Sequence, residues 1–231
     1  MLPGQTGIAL KLYLDTADTS QWQLPAGCPA VQGVTTNPTL IHAAGLPVSL
    51  ATYLELVDRA GQQRMAELML QLPSADPAEA ERWLAKLLPA AVAARVQITI
   101  KLPCHPEWQS TLLRAQAQGV STLLTGVSNP MQLLWARQCG ATYIAPYIGR
   151  LQADGRDVWP FLQACVNLQD GGPRLLAASI KSGDVLSRLI GMGAYAATVR
   201  PEFAAGLATD VLTDGAIAQF NADIKASLGG A

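Results

Sequence analysis

The sequence has few side chains that bind transition metals. It contains two histidines, His42 and His105, and four cysteines without paired spacing. A catalytic zinc site usually takes three protein ligands, and only Cys104 and His105 are neighbours in the chain. We therefore predict no metal site, and we interpret the cysteines as reduced thiols.

The sequence also lacks an excess of charge of either sign. Lys and Arg number 16, Asp and Glu 17, and no charged run occurs, so neither a nucleic-acid surface nor a membrane-binding patch is predicted. No apolar run approaches the roughly 20 residues of a membrane span. The segment Met1–Gly7 lacks the basic and apolar regions of a signal peptide. These absences predict a cytoplasmic protein.

Half of the 231 residues are apolar, which is enough for one sizeable core. From Leu12 onward, short β-branched runs alternate with longer stretches that have apolar residues at helical spacing. Eight strands are predicted: Leu12–Asp15, Gly33–Asn37, Ala66–Leu72, Gln97–Leu102, Ser121–Val127, Thr142–Ile148, Arg174–Ile180 and Ala194–Val199. Eight helices are predicted: Leu40–Ala60, Pro77–Ala94, Glu107–Gln118, Pro130–Cys139, Val158–Leu168, Gly183–Gly191, Pro201–Thr209 and Asp214–Leu228.

Strands that alternate with helices pair in parallel through crossovers, and eight such units in this length are typical of a TIM barrel. The alternative is an open doubly wound sheet, but no G-x-G-x-x-G follows a predicted strand. The first link, Thr19–Gln32, contains two prolines and has room only for a short helix. We predict an α/β fold, a single-domain (β/α)8 barrel over residues 1–231, with an N-terminal extension at 1–11 and C-terminal helices from about 202 to 231.

The predicted fourth strand ends at Lys101, before Pro103 stops the run. Burial disfavours a charged ammonium and lowers its pKa, and a neutral amine attacks carbonyl carbons. Lys101 is therefore a candidate Schiff-base residue; the alternative is a lysine that extends to solvent. Lys181 also follows a strand, but its polar setting, Ser179–Gly183, predicts a protonated amine.

In a TIM barrel the active site is formed at the carboxyl ends of the strands. The polar residues at or just beyond the predicted strand ends are Asp15, Thr35, Asn37, Gln71, Lys101, Thr125, Tyr147, Arg150, Ser179, Lys181, Thr198 and Arg200. Such a combination of carboxylate, amide, amine, phenol and guanidinium on one rim indicates a site.

The chemistry of these groups suggests their roles. Lys101 would attack a ketone and form an iminium, while Tyr147, with a water held by Gln71 and Thr125, would carry protons. Asp15 would accept a hydrogen bond from a substrate hydroxyl. Its charge also raises the pKa of Lys101 and opposes burial, and the sequence leaves open which effect dominates.

Two further roles concern substrate binding. Asn37 would hold sugar hydroxyls, and Arg150, Ser179 and Lys181 would form a phosphate site, because arginine offers a planar fork to phosphate oxygens. The alternative for Arg150 is a surface ion pair with Asp154 or Asp157.

Five segments resemble the transaldolase family, and most of all its small, fructose-6-phosphate aldolase-type branch. They are Leu12–Asp18, Gly33–Pro38, Ile100–Pro103, Ala145–Arg150 and Leu176–Lys181. The resemblance runs from about Leu12 to the last helix. It implies a TIM barrel, a Schiff-base lysine at Lys101, and no metal or other cofactor. It also implies that Arg150 and Ser179 bind phosphate and that Asp15, Thr35, Asn37, Gln71, Thr125 and Tyr147 surround the reacting carbons.

The same resemblance bears on the branch and the assembly. Transaldolases carry Glu, Phe and Asn where this chain has Gln71, Tyr147 and Leu123, which favours the aldolase branch. The segments Leu102–Pro106 and Val127–Pro130 depart from that branch and would reshape the acceptor pocket. The resemblance also implies a homo-oligomer, a ring or decamer in which the last helix reaches a neighbour.

The sequence thus predicts a class I aldolase that acts on dihydroxyacetone, or a similar small ketone, and an aldehyde such as glyceraldehyde 3-phosphate. Two alternatives stay open: a transaldolase that moves a dihydroxyacetone unit between the sugar phosphates of the pentose phosphate pathway, and a non-catalytic barrel that binds sugar phosphates. The expected partners are small sugars or sugar phosphates and copies of the same chain.

Overall fold

The structure, a computed structural model, describes residues 10–228. Eight parallel strands pair in chain order, and β8 closes the barrel on β1, so the predicted TIM barrel is confirmed. The strands are β1 Lys11–Asp15, β2 Val31–Thr35, β3 Glu67–Gln71, β4 Gln97–Pro103, β5 Ser121–Thr125, β6 Tyr143–Ala145, β7 Arg174–Ala177 and β8 Ala196–Val199.

Helices surround this barrel and connect its strands. They are α1 Pro38–Ala43, α2 Leu50–Gln62, α3 Pro77–Ala94, α4 Gln109–Ala117, α5 Pro130–Gln138, α6 Ile148–Ala153, α7 Trp159–Asn167, α8 Gly183–Met192, α9 Pro201–Gly206 and α10 Val211–Leu228. Short 3-10 helices cover Thr19–Gln21, in the first link as predicted, and Pro106–Trp108.

Successive side chains of each strand pack on opposite faces and divide the core into two layers. In β1, Tyr13 packs inside the barrel with Met69, Leu123 and other inward residues. Leu12 and Leu14 belong to the larger layer between strands and helices. The same alternation places Lys101 on the inner face of β4, because it stands two residues after the inward-facing Thr99.

A buried carboxylate ties three strands together inside the barrel. Glu67 of β3 accepts hydrogen bonds from the Tyr13 hydroxyl at 2.6 Å and from Thr99 Oγ1 at 2.5 Å. Burial and the nearby Glu67 charge raise the pKa of Tyr13 above its ordinary value, so its phenol stays a donor. Both carboxylate oxygens are therefore satisfied without solvent.

The prediction of one helix over Leu40–Ala60 is wrong, since α1 and α2 are separate. Gly45 ends the first helix with a left-handed φ of 73°, and Pro47 disfavours helical backbone at the residue before it. The second helix then starts after Ser49, whose hydroxyl accepts a hydrogen bond from the Thr52 amide. The two helices thus have their own start and stop signals.

The predicted sixth strand, Thr142–Ile148, is too long, because β6 ends at Ala145. Pro146 has no N–H to continue the ladder, and the amides of Ile148 and Gly149 donate to the carbonyls of Ala178 and Ser179. The chain then enters α6, a helix that was not predicted from the sequence. Strand β2 likewise ends at Thr35 instead of Asn37.

Lys11, the last residue of the predicted N-terminal extension 1–11, belongs to β1. Residues 1–9 of that extension lie outside the described part. Helix α10 has no buried side chain. Within residues 10–228, no helix is both long and apolar enough to cross a membrane. The cytoplasmic location stays a prediction.

Candidate active site

A cavity of about 720 Å³ opens at the carboxyl ends of the strands. The strand ends are far apart in the sequence but converge here because the barrel is closed. All the predicted site residues except Thr35 line it: Asp15, Asn37, Gln71, Lys101, Thr125, Tyr147, Arg150, Ser179 and Lys181.

Lys101 is held in the wall of this cavity with only 6% of its surface exposed. Its Nζ donates a hydrogen bond of 2.6 Å to the backbone carbonyl of Thr36. Burial lowers the pKa of Lys101 below its ordinary value, and the opposing effect of Asp15 is smaller. The amine is therefore buried and aimed inward, unlike a lysine that extends to solvent.

Asp15 is oriented by Thr35, which in turn contacts Thr198, a residue of the cavity lining. Thr35 Oγ1 donates to Asp15 Oδ1 at 2.7 Å and lies 2.7 Å from Thr198 Oγ1. Because the single Thr35 proton is used on the carboxylate, Thr198 donates to Thr35. Thr35 is fully buried, so the structure places it under the site as a residue that orients Asp15.

Asn37 combines a structural bond with a position in the cavity. Its Oδ1 accepts a hydrogen bond of 3.0 Å from the Leu40 amide and so caps α1. The cap fixes the side chain, and its amide nitrogen is left to donate toward a ligand.

Tyr147 lies across the cavity as the residue before α6. Its hydroxyl accepts a hydrogen bond of 2.6 Å from Thr125 Oγ1, which leaves the phenol proton free to point elsewhere. Gln71 pairs with Lys101 on the adjacent strand, and its backbone carbonyl accepts a hydrogen bond from Tyr53. A phenol and an amide thus share the cavity with the amine.

The predicted phosphate residues occur on the α6 and β7 side of the cavity. The Arg150 guanidinium stacks 4.6 Å from the centre of the Tyr147 ring. Asp154, its expected ion-pair alternative, pairs with Arg156 at 2.7 Å, and Asp157 accepts a hydrogen bond from the Trp159 amide. Arg150, Ser179 and Lys181 line one cavity, which provides donors and positive charge for an anion.

Several residues of the cavity wall could not be predicted from the sequence. Phe203 of α9 and Leu40 of α1 line the cavity, but an apolar residue on a helix gives no functional signal in the sequence. The Thr36 carbonyl that accepts the hydrogen bond from Lys101 is a backbone group, so the sequence gives no sign of it either. Arg200, noted as a strand-end residue, also lines the cavity and forms an exposed ion pair of 3.7 Å with Glu202.

The fold and this cavity define an α/β-barrel protein whose polar site is formed by strand ends around a buried lysine. A solved chain described as "Native KDPGal structure" matches the fold with a TM-score of 0.52 at 14% identity, covering 89% of this chain and 93% of its own.

Sequence comparisons give the family. The model of the transaldolase/fructose-6-phosphate aldolase family matches residues 12–229. Proteins called "Probable transaldolase" from Maricaulis maris and Caulobacter sp. strain K31 are 32% and 31% identical to the chain. Both alignments cover 93% of this chain and 96% of the relative. The chain belongs to the transaldolase/fructose-6-phosphate aldolase family, which is a family of enzymes.

Proposed function

We propose that the protein is a class I aldolase that makes or cleaves the bond between dihydroxyacetone, or a similar small ketone, and an aldehyde such as glyceraldehyde 3-phosphate. The observation that carries this proposal is Lys101, a buried amine of lowered pKa in the wall of a polar cavity. A larger neutral fraction makes the amine a better nucleophile toward a ketone.

The surrounding groups support each step of that chemistry. The neutral Lys101 amine adds to the ketone carbonyl, and loss of water gives an iminium; Tyr147 supplies and removes the protons. In cleavage, Asp15 takes the proton of the substrate hydroxyl, the C–C bond breaks, and its electron pair moves into the iminium to form an enamine. The deprotonated hydroxyl becomes the carbonyl of the aldehyde, which leaves. Protonation of the enamine carbon and hydrolysis then release the ketone and restore Lys101.

The same site supports an anionic end for the substrate. Arg150, Ser179 and Lys181 lie on the rim of the cavity, and a charged donor pairs well with phosphate oxygens. We propose that they hold the phosphate of the aldehyde, and that Asn37 donates to a sugar hydroxyl.

The second candidate is a transaldolase, which keeps the enamine and passes it to another aldose. It is favoured by the names of the curated relatives, which are called probable transaldolases. Gln71 and Tyr147 support the aldolase over this alternative, because the family resemblance implies Glu and Phe at these two positions in transaldolases.

One experiment separates the candidates. Release of dihydroxyacetone from fructose 6-phosphate is measured with and without an added aldose acceptor. An aldolase releases the ketone without acceptor, a transaldolase turns over only with it, and a non-catalytic barrel does neither. In parallel, borohydride with dihydroxyacetone is expected to add mass to the peptide that contains Lys101, and not in Lys101→Ala. Labelling of Lys181 would overturn the assignment.

We further propose that the protein works as a homo-oligomer. Helix α10 exposes an apolar stripe, in which Ile217, Phe220, Ile224 and Leu228 are 51%, 62%, 55% and 76% exposed. Apolar side chains at this spacing form one face of the helix, and covering that face with a partner lowers the free energy of the protein. A second copy of the chain is the partner that the family resemblance supports.

A further inference from the structure

We propose that Gly149 is a positioning residue for the anionic end of the substrate, because the absence of its side chain makes room for Ser179 and Lys181. This inference rests on the proposed function of Arg150, Ser179 and Lys181 as the phosphate site. It assigns a role to a glycine that does not itself line the cavity.

The contact around Gly149 is too close for any side chain. A Cβ at this position would lie 2.7 Å from the Ser179 carbonyl oxygen, 2.9 Å from Ser179 Oγ and 3.0 Å from Lys181 Cε. The first two distances are shorter than real Cβ contacts, and one of these atoms belongs to the backbone. A methyl group would therefore push the 179–181 segment away from α6.

Space, and not backbone conformation, is what requires the glycine. Gly149 lies in the first turn of α6, and its φ is not among the positive φ values of the chain. Alanine adopts this conformation readily and favours a helix over glycine. A loss on substitution must then come from the contact with Ser179 and Lys181.

Ser179 is held in a conformation that depends on this contact. Its φ of 60° is left-handed, a conformation that few non-glycine residues adopt. The Gly149 amide donates to the Ser179 carbonyl at 3.1 Å, and the Ile148 amide donates to the Ala178 carbonyl at 3.0 Å. The start of α6 thus holds the strained residue in place.

This arrangement joins the three anion-binding side chains into one unit. Arg150 follows Gly149 directly, while Ser179 and Lys181 touch the space that the glycine leaves open. If the start of α6 separates from residues 179–181, then the Ser179 hydroxyl, the Lys181 amine and the Arg150 guanidinium no longer converge on one anion. Lys101, on the other side of the cavity on β4, is outside this contact.

The test compares Gly149→Ala with wild type, using dihydroxyacetone as donor and either glyceraldehyde 3-phosphate or glyceraldehyde as acceptor. Loss of one or two hydrogen bonds to a charged group corresponds to a rise of roughly 10- to 100-fold in KM for the phosphorylated aldehyde. Inhibition by inorganic phosphate is expected to weaken by the same factor. The KM for glyceraldehyde is expected to change by less than about threefold, since it makes no such bonds.

Gly191→Ala is the matched control, because Gly191 also lies in a helix and its Cβ would meet nothing within 4 Å. It is expected to behave as wild type. Ser179→Gly removes the hydroxyl and the cost of the left-handed φ, so residues 179–181 can shift more easily. This variant provides a second background for Gly149→Ala if the single variant does not fold. In that background the added methyl is expected to cost less than in wild type, since coupled neighbours are not additive.

The possible failures are distinct. Equal losses with both aldehydes, or additive effects in the Ser179→Gly background, would show that Gly149 is only structural. If Gly149→Ala keeps the wild-type preference for glyceraldehyde 3-phosphate over glyceraldehyde, Gly149 is not a positioning residue, while the proposed anion site stands. If wild type itself does not distinguish the two aldehydes and is not inhibited by phosphate, the proposed phosphate site fails, and the inference with it.

Discussion

At the scale of single residues, two opposing effects set the pKa of Lys101, the proposed Schiff-base residue. Burial removes water from the ammonium, while the negative charge of Asp15 stabilises it. In this structure burial is the larger effect, and the pKa of Lys101 falls. The hydrogen bond to the Thr36 carbonyl keeps the nitrogen in place without adding a formal charge.

The lowered pKa of Lys101 has a consequence for stability. Between the pKa in the folded protein and the ordinary value of 10.5, the unfolded chain binds more protons than the folded one. Stability therefore rises with pH across this window, and the penalty for burying the charge is full below it. Lys101→Met lacks the titrating amine at this position, so its stability does not contain this pH dependence.

We therefore expect the melting temperature of wild type, relative to Lys101→Met, to increase as pH rises from neutrality toward 10.5. Thermal scans of both proteins in matched buffers measure this difference, and titrating groups that do not interact with Lys101 cancel in it. A difference that is flat or falls with pH would mean that Lys101 keeps an ordinary pKa in the folded protein.

A second prediction at this scale concerns Gln71 and the fate of the enamine. A neutral amide both donates and accepts, so it can orient a water beside Tyr147, whereas a carboxylate only accepts or takes the proton itself. Gln71→Glu combined with Tyr147→Phe is expected to slow protonation of the enamine and so raise transfer to an added aldose relative to ketone release.

The ratio of the two products is measured with fructose 6-phosphate as donor, and each single variant serves as the control for the pair. An unchanged ratio in the double variant would show that Gln71 and Tyr147 do not control whether the enamine is protonated or passed to an aldose. A wild type that transfers much faster than it releases ketone would place the protein with the transaldolases.

At the scale of elements, α6 joins Tyr147, the proposed proton-transfer residue, to Arg150 of the proposed anion site. Tyr147 precedes the helix, and Arg150 lies in its first turn and stacks on the Tyr147 ring. One short helix therefore positions groups that are proposed to act on both ends of the substrate.

Arg150→Ala is expected to weaken the use of glyceraldehyde 3-phosphate by about 1.5–3 kcal/mol, the value of one charge-assisted contact. The effect on unphosphorylated glyceraldehyde is expected to be much smaller. The comparison of kcat/KM for the two aldehydes measures this, with Arg188→Ala as control, because Arg188 stacks in the same way on Trp159 outside the cavity. Equal losses for both aldehydes would make Arg150 structural.

At the scale of the whole molecule, the exposed stripe of α10 predicts an assembly. The double variant Ile217→Asp and Phe220→Asp places charges in the middle of the stripe and is expected to dissociate the oligomer, because burying an unpaired charge is costly. Ala222→Asp, on another side of the same helix, is the control.

Sedimentation velocity measures the mass of each species. Wild type and the control are expected to sediment as oligomers and the double variant as a monomer. A monomeric wild type would refute the assembly.

The sequence by itself determined the kind of barrel and the residues at its rim. The alternation of β-branched runs with helical stretches depends on local backbone geometry, which each segment carries in its own side chains. Parallel strands bring their carboxyl ends to one face, so Asp15, Lys101 and Tyr147 could be assigned to a common site before any distance was known.

Only the tertiary structure decided the energies and the close contacts. The pKa of Lys101 depends on how completely the closed barrel removes water from it, and burial is a property of all the strands together. Thr35 looked like a wall residue but lies beneath Asp15, and Gly149 meets Ser179 across 30 residues of chain. Local sequence patterns do not encode such contacts, because the distance between remote segments is set only when the barrel closes.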